Sequence, residues 1–238
     1  MKRGEKMLSI SKWPLYGLML SVVLFAACKK DNDSVTVHQP AAGLMAFNLA
    51  ADKSPIGFTL SSNPLGNSPI NYGGYTGVYL PVYVGTREVR SFDYNTGSTI
   101  ALSSQEFKDS SLYSVFLTGA NGSYKNLVTT DDYSLVKPTT GKAWVRYVNA
   151  ITDSTNVPSI SIGEGSETAG YATASPFKAV NAGSLNVAAN NGGGINVSRT
   201  INVEENKVYT ILFAGQPGQT DSTKSVNIKY VLNGTASE

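Results

Sequence analysis

Catalytic chemistry needs side chains that move protons or hold metals, and this 238-residue chain supplies few of them. It has one histidine, His38, and one cysteine, Cys28. A Ser-His-Asp relay or a histidine-rich zinc site would have only His38 to draw on, and His38 sits in a polar stretch ahead of any strand pattern. Asp131-Asp132 and Glu204-Glu205 are the candidates for two-carboxylate chemistry. Sequence neighbours point apart on a strand and both pairs fall in turn-like stretches, so a solvated turn is expected for each. Asp52 and Asp153 recur at matching positions and could open a calcium loop, but dense Asp-x-Asp-x-Asp spacing is missing, and an Asx-turn is the expected reading. Gly192-Gly193-Gly194 has no Lys-Ser or Lys-Thr after it, so it reads as a hairpin tip and not a phosphate cradle. No catalytic residue, metal site or cofactor is expected, and the chain is read as no enzyme.

Binding chemistry has a better candidate in "NYGGYTGVYLPVYVG", Asn71 to Gly85. With Val78, Leu80, Val82 and Val84 facing a core, Tyr79 and Tyr83 form an outward ladder that Tyr72 and Tyr75 extend. Flat phenols with polar tips stack on sugar rings or on a partner's apolar patch. The plainer alternative is a set of cross-strand tyrosines that only stabilise an exposed sheet. The second half of the chain has no such ladder, since Tyr171 and Phe177 stand alone.

The elements that must position these residues read as strands. The chain is 41% hydrophobic and 15% charged, with 23 Gly and 13 Tyr, a composition that favours strands and turns in an all-β fold. Turn clusters at Asn63-Pro64-Leu65-Gly66, Asn95-Thr96-Gly97, Asn121-Gly122 and Pro217-Gly218 separate the period-two runs. "VYTILFAG", Val208 to Gly215, alternates less cleanly and reads as a strand buried on both faces or carrying a bulge. The chain also matches itself. Asn48 lies over Asn149, Asp52 over Asp153, Gly85 over Gly183, Tyr113 over Tyr209 and Gly119 over Gly215, at offsets that shrink from 101 to 96 residues. Two tandem antiparallel β-sandwiches are therefore expected, at residues 43–136 and 143–238, joined by a short hinge at 137–142. One closed sandwich built from both halves is the alternative.

Asp109-Ser-Ser-Leu-Tyr113 and Glu205-Asn-Lys-Val-Tyr209 each place an acid four residues before a tyrosine that opens a long apolar strand. This resembles the tyrosine corner of immunoglobulin-like sandwiches, in which the phenol bonds to upstream backbone. Together the two copies, with the "VRYVNAITDSTNV" start and the "VYTILFAG" strand, resemble the bacterial envelope family called domain of unknown function 4397. That resemblance implies an immunoglobulin-like fold and brings no established activity.

The N-terminus supplies an address. Four cationic residues precede a largely apolar run from Leu15 to Ala27, shorter than the roughly 20 residues a membrane-spanning helix needs. Phe25-Ala26-Ala27-Cys28 resembles a lipoprotein lipobox, which implies cleavage after residue 27 and acylation of Cys28. Several acyl chains on one residue anchor firmly where a single chain does not. The alternative is a structural cysteine behind an ordinary secretory signal. Lys29-Lys30-Asp31-Asn32-Asp33 reads as solvated tether and resembles the surface-export signal of Bacteroidetes lipoproteins. Residues 28–42 form the tether, and the outer membrane, facing outward, is the expected location. The formal charge of +2 comes entirely from the N-terminal segment, so the body offers no electrostatic reason to bind nucleic acid. The expected function is a surface adhesion or glycan-binding accessory module, held to the membrane through Cys28. The alternative is a structural spacer or assembly component that contacts other envelope proteins.

Overall fold

The computed structural model describes residues 39–152 and 156–237. Cys28, His38, Asp153, the signal segment and most of the tether lie outside the described residues. Every regular element among the described residues is a strand. No helix there is long and apolar enough to cross a membrane.

The first half runs β1 (Ala41–Ala50), β2 (Ile56–Leu60), β3 (Asn63–Pro64), β4 (Leu80–Tyr83), β5 (Gly85–Asp93), β6 (Thr99–Phe107), β7 (Leu112–Ala120) and β8 (Ser123–Thr130). These strands form two sheets, ordered β4-β1-β7-β8 and β3-β2-β5-β6. The second half runs β9 (Lys142–Ile151), β10 (Ser159–Ile162), β11 (Gly165–Thr168), β12 (Thr173–Ala174), β13 (Lys178–Asn181), β14 (Gly183–Asn190), β15 (Asn196–Val203), β16 (Lys207–Gly215) and β17 (Asn227–Thr235). Its sheets follow the same order, β12-β9-β16-β17 and β11-β10-β14-β15, with β13 also paired to β9. β13 pairs with β9 in the register in which β4 pairs with β1, and β12 answers to the isolated Tyr75–Phe47 bridge of the first half; Pro176, which has no N–H to give a ladder, stands between β12 and β13. The described residues are all-β, a tandem of sandwiches.

In each half the first strand lies parallel to the tyrosine-bearing one, β1 beside β7 and β9 beside β16, while every other ladder between these strands is antiparallel. Central parallel strands are buried on both faces and read as unbroken apolar runs. Both faces of β1 are covered here. Leu44, Ala46 and Ala50 enter the core of the first sandwich with Phe58, Val89 and Val115. Met45, Phe47 and Leu49 point the other way and meet Phe116, Val148 and Leu212 in a separate apolar cluster that joins the two inner sheets. The second core gathers Val145, Ile160, Val187, Ile201, Ile211 and Phe213. "VYTILFAG" proves to have both expected properties: β16 is buried through Val208–Gly215, and its pairing with β17 shifts register between Val208 and Tyr209.

This packing corrects the expectation of a hinge. Residues 137–142 connect two bodies that already share a cluster of buried apolar side chains, and the segment is tied down. Asn206 Oδ1 accepts from the Thr139 N–H at 2.8 Å, and Trp144 Nε1 donates to the Lys137 carbonyl at 3.0 Å. β9 opens at Lys142, the last residue of the expected linker, and β1 opens at Ala41, inside the expected tether.

Both tyrosines close a corner. Tyr113 Oη accepts from the Lys108 N–H at 3.0 Å, and Tyr209 Oη accepts from the Glu204 N–H at 3.1 Å. The acids play other parts: Asp109 Oδ1 accepts from the Ala41 N–H at 2.9 Å and so holds the start of β1, and Glu205 is exposed.

Asn48 and Asn149 do the same job in the two sandwiches. Each is fully buried. Asn48 Nδ2 donates to the carbonyls of Lys53 and Ile70, and Asn149 Nδ2 to those of Ala169 and Gly170. Each Oδ1 accepts from the N–H two residues on, at Ala50 and Ile151. One amide therefore serves two loop carbonyls and a strand N–H at once. Asn149→Ala would leave the buried Ala169 carbonyl and the Ile151 N–H without this partner, while Gly170 keeps its bond from Thr173 Oγ1, at about 1–3 kcal/mol for a buried polar group. A loss of roughly 2–3 kcal/mol is expected in urea unfolding, with Asn149→Asp no better because a carboxylate accepts and cannot donate.

Candidate binding site

The tyrosine-rich stretch does not form an outward ladder. Before Gly85 opens β5, only Leu80–Tyr83 of the stretch forms a strand, and Val78, placed in the core by alternation, is 59% exposed. Tyr75 stacks on Phe47 with ring centroids 5.2 Å apart, inside the cluster between the inner sheets. Tyr72 is half-buried with the Lys229 ammonium of β17 5.4 Å from its ring centre. Burial raises its phenol pKa. Tyr79 turns inward and donates to Asp131 Oδ2 at 2.6 Å. Burial, and then the Asp131 charge, hold its phenol far above the ordinary range. Tyr83 alone faces solvent, at 60% exposure, with the Arg87 guanidinium 6.0 Å from its ring centre. Three of the four tyrosines are thus spent on holding one sandwich against the other.

The centre of that junction is an ion pair. Asp131 and Arg146 have side-chain exposures of 0% and 2%, and Arg146 Nη1 bonds Asp131 Oδ1. Arg146 Nε donates to Thr210 Oγ1 at 2.9 Å and Nη2 to Ser114 Oγ at 3.0 Å. Ser114 Oγ in turn donates to Asp131 Oδ2 at 2.6 Å. The guanidinium lies 4.7 Å from the Phe177 ring centre and 5.9 Å from that of Phe116. Tyr171, isolated in the sequence, bonds Thr118 Oγ1 across the same junction at 3.1 Å. The expectation of a solvated turn at Asp131-Asp132 therefore fails for its first member: Asp131 is a buried counter-ion, while Asp132 is exposed. Glu204-Glu205 is a solvated turn. Asp52 forms no Asx-turn; its Oδ2 accepts from the Asn121 N–H and Tyr124 Oη, each at 2.8 Å. Among the described residues no three potential metal ligands converge.

An open cleft lies elsewhere, at the edge of the second sandwich, where β11 of the outer sheet and β13 of the inner sheet stand apart. Its volume is about 630 Å³, within the range of small-molecule sites. Val145, Ile160, Ile162 and Leu185 form an aliphatic floor. On the rim, Lys178 Nζ donates to Glu167 Oε1 at 3.0 Å and Lys142 Nζ to Asn181 Oδ1 at 2.8 Å. Tyr147 lies at the back. Burial, and then the neighbouring Glu167 carboxylate, push its phenol up to about 12, so it stays protonated through neutral pH. The equivalent opening in the first sandwich, between β3 and β4, is about 250 Å³ and is lined by Leu60, Leu65, Leu80 and Val82. Leu65 is buried there. The second-sandwich cleft joins carboxylate, ammonium, amide and hydroxyl groups above an apolar floor. That arrangement suits a ligand with hydroxyls at its edge and C–H groups on its face.

Sequence reasoning missed Glu167, Lys178, Asn181 and Tyr147, which lie on three separated strands, β11, β13 and β9, with no motif in common. A domain of unknown function, DUF4397, matches residues 35–163, more than half of the chain. The chain belongs to the DUF4397 family. The DUF4397 match spans the whole first sandwich and continues through β9 and β10 of the second. No curated protein matches the chain. Among solved structures, this DUF4397 protein is similar to CBMbc, a family CBM26 module from Eubacterium rectale Amy13K solved in complex with maltoheptaose. The identity is 13%, covering 83% of this chain and 98% of that one, with a TM-score of 0.23.

Proposed function

We propose that this chain is a non-catalytic envelope protein, anchored through acyl chains on Cys28, that binds glycans at the cleft between β11 and β13. The carrying observation is the contrast between the two copies. One fold builds the same opening twice, and it is about 250 Å³ and mostly apolar in the first sandwich, where Leu65 is buried, but about 630 Å³ with a polar rim in the second. Phe25-Ala26-Ala27-Cys28 supports the anchor, and Lys29 to Asp33 supports export to the cell surface.

A glycan array probed with the full chain tests the cleft. Glu167→Ala and Asn181→Ala, both at exposed positions, are expected to weaken binding about tenfold each while the unfolding midpoint stays put. Absence of any glycan binding, or binding indifferent to both changes, would sink the reading. Mass spectrometry of the mature N-terminus and protease shaving of whole cells check the anchor and its side of the membrane. The second reading, a structural spacer within the envelope, draws on the buried Asp131–Arg146 junction, which makes one stiff block of two sandwiches. It predicts no soluble ligand.

A further inference from the structure

The outer sheet of the second sandwich, β11-β10-β14-β15, turns one face to the core and the other to solvent. On the solvent face Asn186 stands opposite Thr200, Ala188 opposite Ser198 and Asn190 opposite Asn196. β10 and β11 continue the pattern, with Ser161 opposite Ser166 and Ser159 opposite Thr168. The four strands contain two charged residues, and both leave this face. Glu167 reaches Lys178 across the cleft, and Arg199 Nη1 donates to the Ile228 carbonyl of β17 at 2.7 Å.

The first sandwich provides an internal comparison. Its corresponding sheet carries Glu88, Arg90, Phe92, Leu102 and Glu106 on the strands β5 and β6, an ordinary charged and apolar mixture. Freedom from charge is therefore a property of the second copy and not of the fold. Bonds within the face hold its side chains in place: Thr200 Oγ1 donates to Asn186 Oδ1 at 2.7 Å, and Ser159 and Ser166 share a hydrogen bond of 2.7 Å. Strand geometry spaces these groups roughly 4.8 Å apart across strands and about 6.7 Å along them.

Hydroxyls and amides donate and accept at once, so they match sugar hydroxyls in either sense. Neutral polar groups also cost far less to desolvate than charges. The face has neither the charge to draw an ionic polymer nor the aromatic and aliphatic centre of a protein interface. Building on the glycan-binding reading, we infer that this face lies against the surface of an uncharged polysaccharide, with the cleft at its rim. Insoluble neutral glucan and mannan, beside gels of polygalacturonate and chitosan, are the probes for sedimentation with the detergent-purified full chain. The Ser198→Lys, Asn202→Lys pair, both on exposed positions of β15, is expected to lower binding to a neutral polymer about tenfold or more with an unchanged unfolding midpoint. Glu88→Lys, at an exposed position on the corresponding sheet of the first sandwich, should leave that binding in place. Retention by the lysine pair, equal binding to the charged gels, or no binding to either neutral polymer overturns the inference. Loss on Glu167→Ala with the lysine pair unaffected also overturns it, and would leave the cleft reading standing.

Discussion

Asp131→Ala is expected to lower the stability of the protein by about 3–5 kcal/mol, the usual consequence of leaving a buried charge without its partner. Arg146 is 2% exposed, and its other bonds, to Thr210, Ser114 and Thr129, are to neutral hydroxyls that cannot balance it. Tyr79 and Ser114 would lose their acceptor as well. Arg146→Met is expected to cost a similar amount, because the carboxylate is then stranded. Asp131→Leu combined with Arg146→Met should recover much of the loss, since an apolar pair carries no desolvation penalty. Urea unfolding of the three variants checks this. If Asp131→Ala stays within about 1 kcal/mol of the parent, the ion pair is not what clamps the junction. Because the pair bridges β9 and the chain just after β8, its loss should also expose residues 137–142 to limited proteolysis.

Gly119→Ala should be the next most damaging change, at about 3 kcal/mol or more. Gly119 has φ +121°, where a side chain is strained, and a Cβ there would overlap the Ser123 carbonyl oxygen and come within 2.8 Å of the Tyr124 Cα. Such backbone strain costs on the order of 1–3 kcal/mol, and the overlap adds to it. The neighbours cannot retreat, because Gly119 pairs with Tyr124 and Ala120 with Ser123 in the tight β7–β8 hairpin. Gly215 repeats the situation at φ +119°, against the backbone of Ser225. Gly122, at φ +86° with open space around it, is the control and should cost only about 1 kcal/mol as alanine. Equal losses at Gly119 and Gly122 in thermal unfolding would remove the steric argument.

Much of this fold was legible in the amino-acid order. Period-two alternation and glycine-asparagine turns are local properties, so they identified the strands and the all-β class. Self-similarity paired Asn48 with Asn149 and Gly119 with Gly215, and those pairs do equivalent work because each is bound to its own nearby turns. What alternation determines is that two faces exist; which face meets water depends on a sheet about a hundred residues away. Tyr75 and Tyr79 do point away from the first core, as alternation requires, yet the second sandwich covers that side. One sign of this was present in the sequence: Arg146 interrupts the apolar run of "AWVRYVNAI", and a cation in a strand buried on both sides demands a buried anion. That the anion is Asp131, that the wider cleft lies in the second sandwich, and that one outer face is free of charge were decided by tertiary structure alone, since each depends on strands meeting that no local spacing connects.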